Sequence, residues 1–259
     1  VALADRPEPP EQAAPTEQAG EPSVTGSERR RVIRDSLGVG LAVGAYGVAF
    51  GAASVAAGFT PAQSSVSSLT TFTGGTQFAI AGVIAGGGTA AAALSSGYLL
   101  GARNTLYALR LTSLLHVRGW RRLLAALGTI DESTAMSLGQ RRAETARMAF
   151  WWTAGSVYLF WNLATLLGAF GAQALGDPKR FGLDAAIPAA FLALLAPRLR
   201  HDQDSNLPIW TVRRVAIIGA AIALVLIPVT PAGVPVLASC LALVVALFPA
   251  RGSAPPETR

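Results

Sequence analysis

The sequence predicts an all-α, polytopic integral membrane protein: a helical bundle of about seven to eight membrane segments, some of them discontinuous or re-entrant. Three observations predict it. Of 259 residues, 51% are hydrophobic and only 14% charged, against about a quarter charged in an average soluble domain. Mean hydropathy is +0.43 even though the N-terminal stretch is polar. Several uninterrupted apolar runs approach the ~20 residues that carry a helix across a bilayer. The alternating pattern of an outer-membrane barrel is absent.

Residues 1–30 read as a disordered tail of Pro, Glu, Gln, Ala and Ser, with too few large apolar side chains to offset the entropy of ordering. Residues 31–250 form the transmembrane domain and 251–259 a short C-terminal tail. Arg29, Arg30, Arg31 and Arg34 mark the first span, residues 36–57, as starting on the cytoplasmic side, because basic residues concentrate on that side of a bilayer. Within it, Gly40 and Gly44, then Gly47 and Gly51, are each one helical turn apart and share a face. Small residues at that spacing let a second helix approach closely.

The segment 62–85 is the unusual one. It holds no charge, yet carries Thr70, Thr71, Thr73, Thr76 and Gln77 around the pair Gly74 and Gly75. Paired glycines weaken a helix by about 1 kcal/mol each. Freed backbone groups at membrane depth must be buried in protein or line a wet cavity. The segment therefore reads as a broken helix beside a solute path, or as a packing helix whose hydroxyls bond their own backbone.

A third span covers 89–115 as one tilted helix carrying Tyr98, Arg103, Asn104 and Tyr107. Arginine at mid-membrane costs about 3 kcal/mol, so Arg103 needs a partner or a wet cavity. Residues 123–138 lie between two basic clusters, Arg118, Arg121 and Arg122 on one side and Arg141, Arg142 and Arg147 on the other. With both flanks basic, this stretch reads as re-entrant or half-length. Further spans follow at 148–172, 181–196, 215–229 and 234–248.

The net charge is +6. The basic clusters adjoin apolar spans, which points to anionic lipid and away from nucleic acid. Neither histidine belongs to a His-Glu-x-x-His motif, and no phosphate-binding glycine loop with its lysine is present. The chain therefore reads as neither an intramembrane metalloprotease nor a nucleotide-driven pump. Nothing in it calls for a metal or a cofactor, and energy for any transport falls to an ion gradient.

An ordered set of pieces carries a family resemblance. They are Tyr-Gly-Val-Ala-Phe-Gly over 46–51, Phe-Thr-Gly-Gly-Thr-Gln-Phe over 72–78, and Arg-Asn-Thr-Leu-Tyr over 103–107. Asp131 and Glu132 follow, then Trp-Asn-Leu-Ala-Thr-Leu-Leu-Gly over 161–168 and Phe-Gly-Leu-Asp-Ala-Ala-Ile-Pro-Ala-Ala-Phe over 181–191. In this order and spacing they resemble the AzlC family, the large subunit of branched-chain amino acid exporters. The resemblance covers residues 31–250. It implies export of valine, leucine and isoleucine, with methionine as a further candidate, driven by the proton gradient across the inner (plasma) membrane. It also implies a small AzlD-type membrane subunit as partner. Where the family tends to carry histidine after its arginine, this chain has Asn104.

An amino acid presents a carboxylate, an ammonium and a side chain. Arg103 can take the carboxylate, or it can form a structural ion pair with Asp131 or Glu132. Thr73, Gly74, Gly75, Thr76 and Gln77, with Asn104 and Tyr107, are the remaining substrate-binding candidates; the polar groups of Thr73, Thr76 and Gln77 can instead pack against one another. Asp131 and Glu132 can carry a coupling proton, since adjacent carboxylates in a low dielectric repel, or they can sit in an exposed turn. Asp184 can do the same, or cap the helix it precedes. The alternative within transport is another small organic solute or ion on the same scaffold.

Overall fold

A computed structural model describes residues 24–247 apart from 177–179, 181, 183–184 and 201–207. Asp184 and most of both expected tails lie outside the described residues. The described chain is helical with no strand. In order the helices are α1 (Gly26–Ala56), α2 (Pro61–Thr70), α3 (Gly74–Ala85), α4 (Ala90–Gly101), α5 (Arg103–Leu115) and α6 (Trp120–Gly128). Then come α7 (Asp131–Leu138), α8 (Ala143–Ala174), α9 (Ala186–Arg200), α10 (Ile209–Leu226) and α11 (Val234–Ser239), continued by a 3-10 segment, Cys240–Leu247. Among the described residues, only α1, α8 and α10 are single helices long and apolar enough to cross a membrane. Most of the other expected spans are built from shorter pieces.

Helix α1 begins earlier than the basic cluster suggested. Thr25 Oγ1 accepts from the Glu28 backbone N–H at 3.2 Å, and Glu28 Oε2 accepts from the Thr25 N–H at 3.0 Å. This reciprocal cap starts the helix at Gly26, so residues 26–30 belong to α1 and not to a tail.

Helices α1 and α8 form the spine, and their glycines explain how. Gly40 meets Ser156, Gly44 meets Phe160, Gly47 meets Trp161 and Ala164, and Gly51 meets Thr165 and Ala169. A side chain at any of the four would collide with its neighbour. The expected glycine face is therefore a helix-packing seam. Residue numbers rise together along both helices, so the two run parallel. At one end Glu28 lies 3.4 Å from Arg142.

Parallel spines mean that residues 57–142 must leave from one end and return to the other. The end holding the starts of α1 and α8 is the basic end. Ser54 Oγ bonds Ser64 Oγ at 2.6 Å, which starts α2 at the opposite end. Helix α2 descends to Leu69, whose carbonyl accepts from Tyr158 Oη at 3.2 Å, midway along α8. The chain turns at Thr71, Phe72 and Thr73. Helix α3 starts against Trp161 at Gly74 and climbs back, so that Phe78 rests edge-on to Phe50. Thus α2 and α3 form a re-entrant hairpin from the opposite end.

Helix α4 then runs down beside α3, with Gly97 against Ile80 and Thr76. The single tilted helix expected over 89–115 is interrupted at Ala102. There the Thr105 N–H bonds the Ala102 carbonyl at 3.0 Å, a tight turn, and α5 begins at Arg103. Helix α5 ends at the basic end, where Arg147 Nε donates to the Leu114 carbonyl at 2.7 Å. Helix α6 re-enters until Gly128 meets Ala154. Helix α7 returns, and Ser137 Oγ donates to the Ala146 carbonyl at 2.9 Å. The stretch 123–138 is re-entrant, as its two basic flanks indicated, and it is a pair of helices.

Candidate functional site

Three helix breaks meet in the middle of the bundle. They are the tip of the α2/α3 hairpin at residues 71–73, the α4/α5 interruption at Ala102, and the tip of the α6/α7 hairpin at Thr129 and Ile130. The two hairpins enter from opposite ends. Each break frees backbone groups at membrane depth that need partners. Side chains supply them at the hairpin tips. Gln77 Nε2 donates to the Ser67 carbonyl at 3.4 Å and Tyr158 Oη serves Leu69, closing α2. Thr129 Oγ1 donates to the Ala125 carbonyl at 2.7 Å and Ser133 Oγ to the Gly128 carbonyl at 2.6 Å, closing α6. Ser133 Oγ also accepts from the Ile130 N–H at 3.1 Å, which opens α7.

Between the breaks lies an open cavity of about 570 Å³. Thr70, Thr71, Thr73 and Thr76 line it from the first hairpin, Asn104 and Thr105 from the α4/α5 break, and Thr129 from the second hairpin. Phe72, Ile80, Leu94, Tyr98 and Leu127 give it apolar walls. Of the cavity-lining residues, the sequence pointed to Thr73, Thr76 and Asn104. Tyr98 stood out in the third span without a binding role, and Thr105 and Thr129 had no signal at all, because nothing local marks a threonine as facing a cavity.

Helix α3 has no side-chain N-cap. Thr73 Oγ1 donates sideways to Thr76 Oγ1 at 2.7 Å, and the first backbone N–H groups of the helix, at Gly74 and Gly75, are left to other partners. The glycine pair does not make the break, which lies just before it. It makes room. A methyl at Gly74 would stand 2.8 Å from Trp161, and one at Gly75 would stand 3.5 Å from Arg103 Nη2.

Arg103 reaches across to the second hairpin. Its Nη2 lies 2.8 Å from Asp131 Oδ2, and the two side chains are 34% and 32% exposed. Each is the first residue of its helix, α5 and α7. Glu132 follows, half-buried, and Tyr107 sits half-buried one turn along α5. Of the two roles open to Arg103, the ion pair with Asp131 is the one formed here. Asp131 is likewise not in an exposed turn.

Gln77 stands apart. It is 1% exposed, and its Oε1 accepts from Trp161 Nε1 at 2.9 Å. With Nε2 held by Ser67, both ends of the amide are engaged away from the cavity. Of the two roles open to it in the sequence, substrate contact and polar packing, the structure forms the second, a brace between α2, α3 and α8. Among the described residues no group of three His, Cys, Asp or Glu side chains is arranged to hold a metal.

A family model described as AzlC protein matches residues 38–175, more than half of the chain. The chain is also 26% identical over 199 residues to "Inner membrane protein YgaZ" of Escherichia coli (strain K12), covering 74% of this chain and 80% of that protein. No solved structure matches it.

Proposed function

The chain belongs to the AzlC family, and from that premise we propose that this membrane transporter is a secondary active exporter of branched-chain amino acids. Valine, leucine and isoleucine are its substrates, with methionine as a fourth candidate. One observation carries the reading: an open cavity at mid-bundle, where three helix breaks bring hydroxyls and apolar walls to one place, with the Arg103–Asp131 ion pair adjoining its lining at Asn104 and Thr129. Its volume of about 570 Å³ falls in the range of small-molecule sites. Such sites at broken helices are the pattern of secondary transporters. Ile80, Leu94 and Leu127 suit an aliphatic side chain. The uncapped start of α3 adjoins Arg103, whose Nη2 would lie 3.5 Å from a methyl at Gly75, and adds to it for one carboxylate, since unbonded N–H groups and the helix dipole both favour negative charge.

Asp131 and Glu132 are the candidates for the coupling proton, with Asp184 a third on the sequence argument alone. The partner is a small AzlD-type membrane subunit. The protein resides in the inner membrane with its N-terminus in the cytoplasm, because the basic end carries Arg29, Arg30, Arg31, Arg141 and Arg142 and basic residues favour that side.

The test is flux of labelled leucine from proteoliposomes under an imposed pH gradient, with and without the companion subunit. Wild-type protein accelerates flux when the gradient is present. Arg103→Ala lowers it at least about tenfold, a loss of about 1.4 kcal/mol in transition-state stabilisation. Unaltered flux in Arg103→Ala and Asp131→Asn would overturn the site. Flux of other small solutes in place of leucine would overturn the substrate.

A further inference from the structure

The region around Arg103 holds more hydrogen-bonding capacity than the protein uses. Arg103 Nε, Asn104 Oδ1, Asp131 Oδ1 and Thr134 Oγ1 are all buried and have no partner among the described residues. Arg103 and Asn104 open α5. Asp131 opens α7, and Thr134 follows one turn later on the same face, 5% exposed. Buried polar atoms are nearly always paired. Four unpaired ones at two adjoining helix starts, flanking an ion pair beside a cavity, mark a place that receives a polar guest.

The unpaired atoms fit one chemistry. Arg103 Nε and Nη2 form a planar two-donor fork, which matches the two oxygens of a carboxylate. Asp131 Oδ1, Asn104 Oδ1 and Thr134 Oγ1 are three oxygen acceptors, which match the three donors of an ammonium. Resting on the exporter reading above, we propose that the Arg103–Asp131 pair is the specificity element of the site and opens only to an α-amino acid zwitterion. The guanidinium releases Asp131 and takes the α-carboxylate, while Asp131 takes the α-ammonium. One ion pair becomes two, and no charge is left alone at membrane depth. A 2-oxo acid satisfies Arg103 but strands Asp131. An amine satisfies Asp131 but strands Arg103. Both are therefore rejected, whatever their side chain.

The experiment measures binding of labelled leucine to the full-length protein in lipid nanodiscs. Competitors are unlabelled leucine, 4-methyl-2-oxopentanoate and 3-methylbutylamine, which share the side chain and keep both, one or the other charge. The oxo acid and the amine compete at least about 100-fold more weakly than leucine, as sites built around buried polar groups discriminate strongly. Asp131→Asn shifts the preference about tenfold toward the oxo acid, because the guanidinium loses its counter-charge. A merely structural pair would lose both ligands in proportion. Competition by either singly charged analogue within about threefold of leucine on wild-type protein overturns the proposal without needing a folded variant. Leucine that neither binds nor leaves cells producing the protein overturns the exporter reading, and the proposal with it. Leucine that binds without this discrimination overturns the proposal alone.

Discussion

At Gln77 one side-chain amide bridges three helices: it donates to Ser67 at the end of α2, accepts from Trp161 on α8, and sits on α3. Truncation leaves the buried Trp161 indole N–H without a partner and removes one of the two donors to the Ser67 carbonyl, which keeps the Thr71 N–H at 2.8 Å. Gln77→Ala is expected to lose about 1–3 kcal/mol of stability, read as a lower melting temperature in detergent, with leucine affinity in the surviving folded fraction little changed. A large loss of affinity at full stability would return Gln77 to the substrate site. Its two glycine neighbours separate in the same way. Gly74→Ala drives a methyl into Trp161 at 2.8 Å and costs about 1–3 kcal/mol. Gly75→Ala meets only ordinary contacts near 3.5 Å, and is expected to stay within about 1 kcal/mol of wild type. Equal melting temperatures for the two variants would contradict the packing described.

Among elements, the close-packing face of α1 was legible in the sequence, because Gly40, Gly44, Gly47 and Gly51 repeat at helical spacing. Its partner face was not. Gly168 lies against the Val48 carbonyl and Gly171 faces open space, yet the two look alike in sequence. Gly168→Leu is expected to cost about 3 kcal/mol and Gly171→Leu almost nothing, compared by thermal melts. The break within 62–85 was legible from its polar residues, but its position was not. Glycine propensity put it at Gly74, while it falls at residues 71–73. That offset of a few residues changes which side chains face the cavity, since a helix turns 3.6 residues per revolution. Thr76 lines the cavity and Gln77, its neighbour, does not. The interruption at Ala102 left no signal of the usual kind. No proline marks it, and Gly101 looks like one more packing glycine.

For the molecule as a whole, the basic clusters were the informative feature. Arg118, Arg121 and Arg122 share an end with Arg142 and Arg147, because residues 114 and 137 both touch the start of α8. Only a re-entrant α6/α7 hairpin allows that. Single cysteines test it in a Cys240→Ser background, since Cys240 is exposed. Cysteines replacing Arg34, Arg118 and Arg141 are expected to react with a membrane-impermeant maleimide from one side of the membrane, and one replacing Ala85 from the other. Labelling of position 118 from the side of Ala85 would make α6/α7 a full crossing.

Two hairpins that stop midway set the site deep between the two ends of the bundle. A lone elementary charge carried across the membrane through it would feel about 2.3 kcal/mol per 100 mV. A dipolar ion trading places with Arg103 and Asp131 feels almost none of it. Leucine exchange at equal pH on both sides should therefore run at the same speed whether the liposomes are polarised with valinomycin or not.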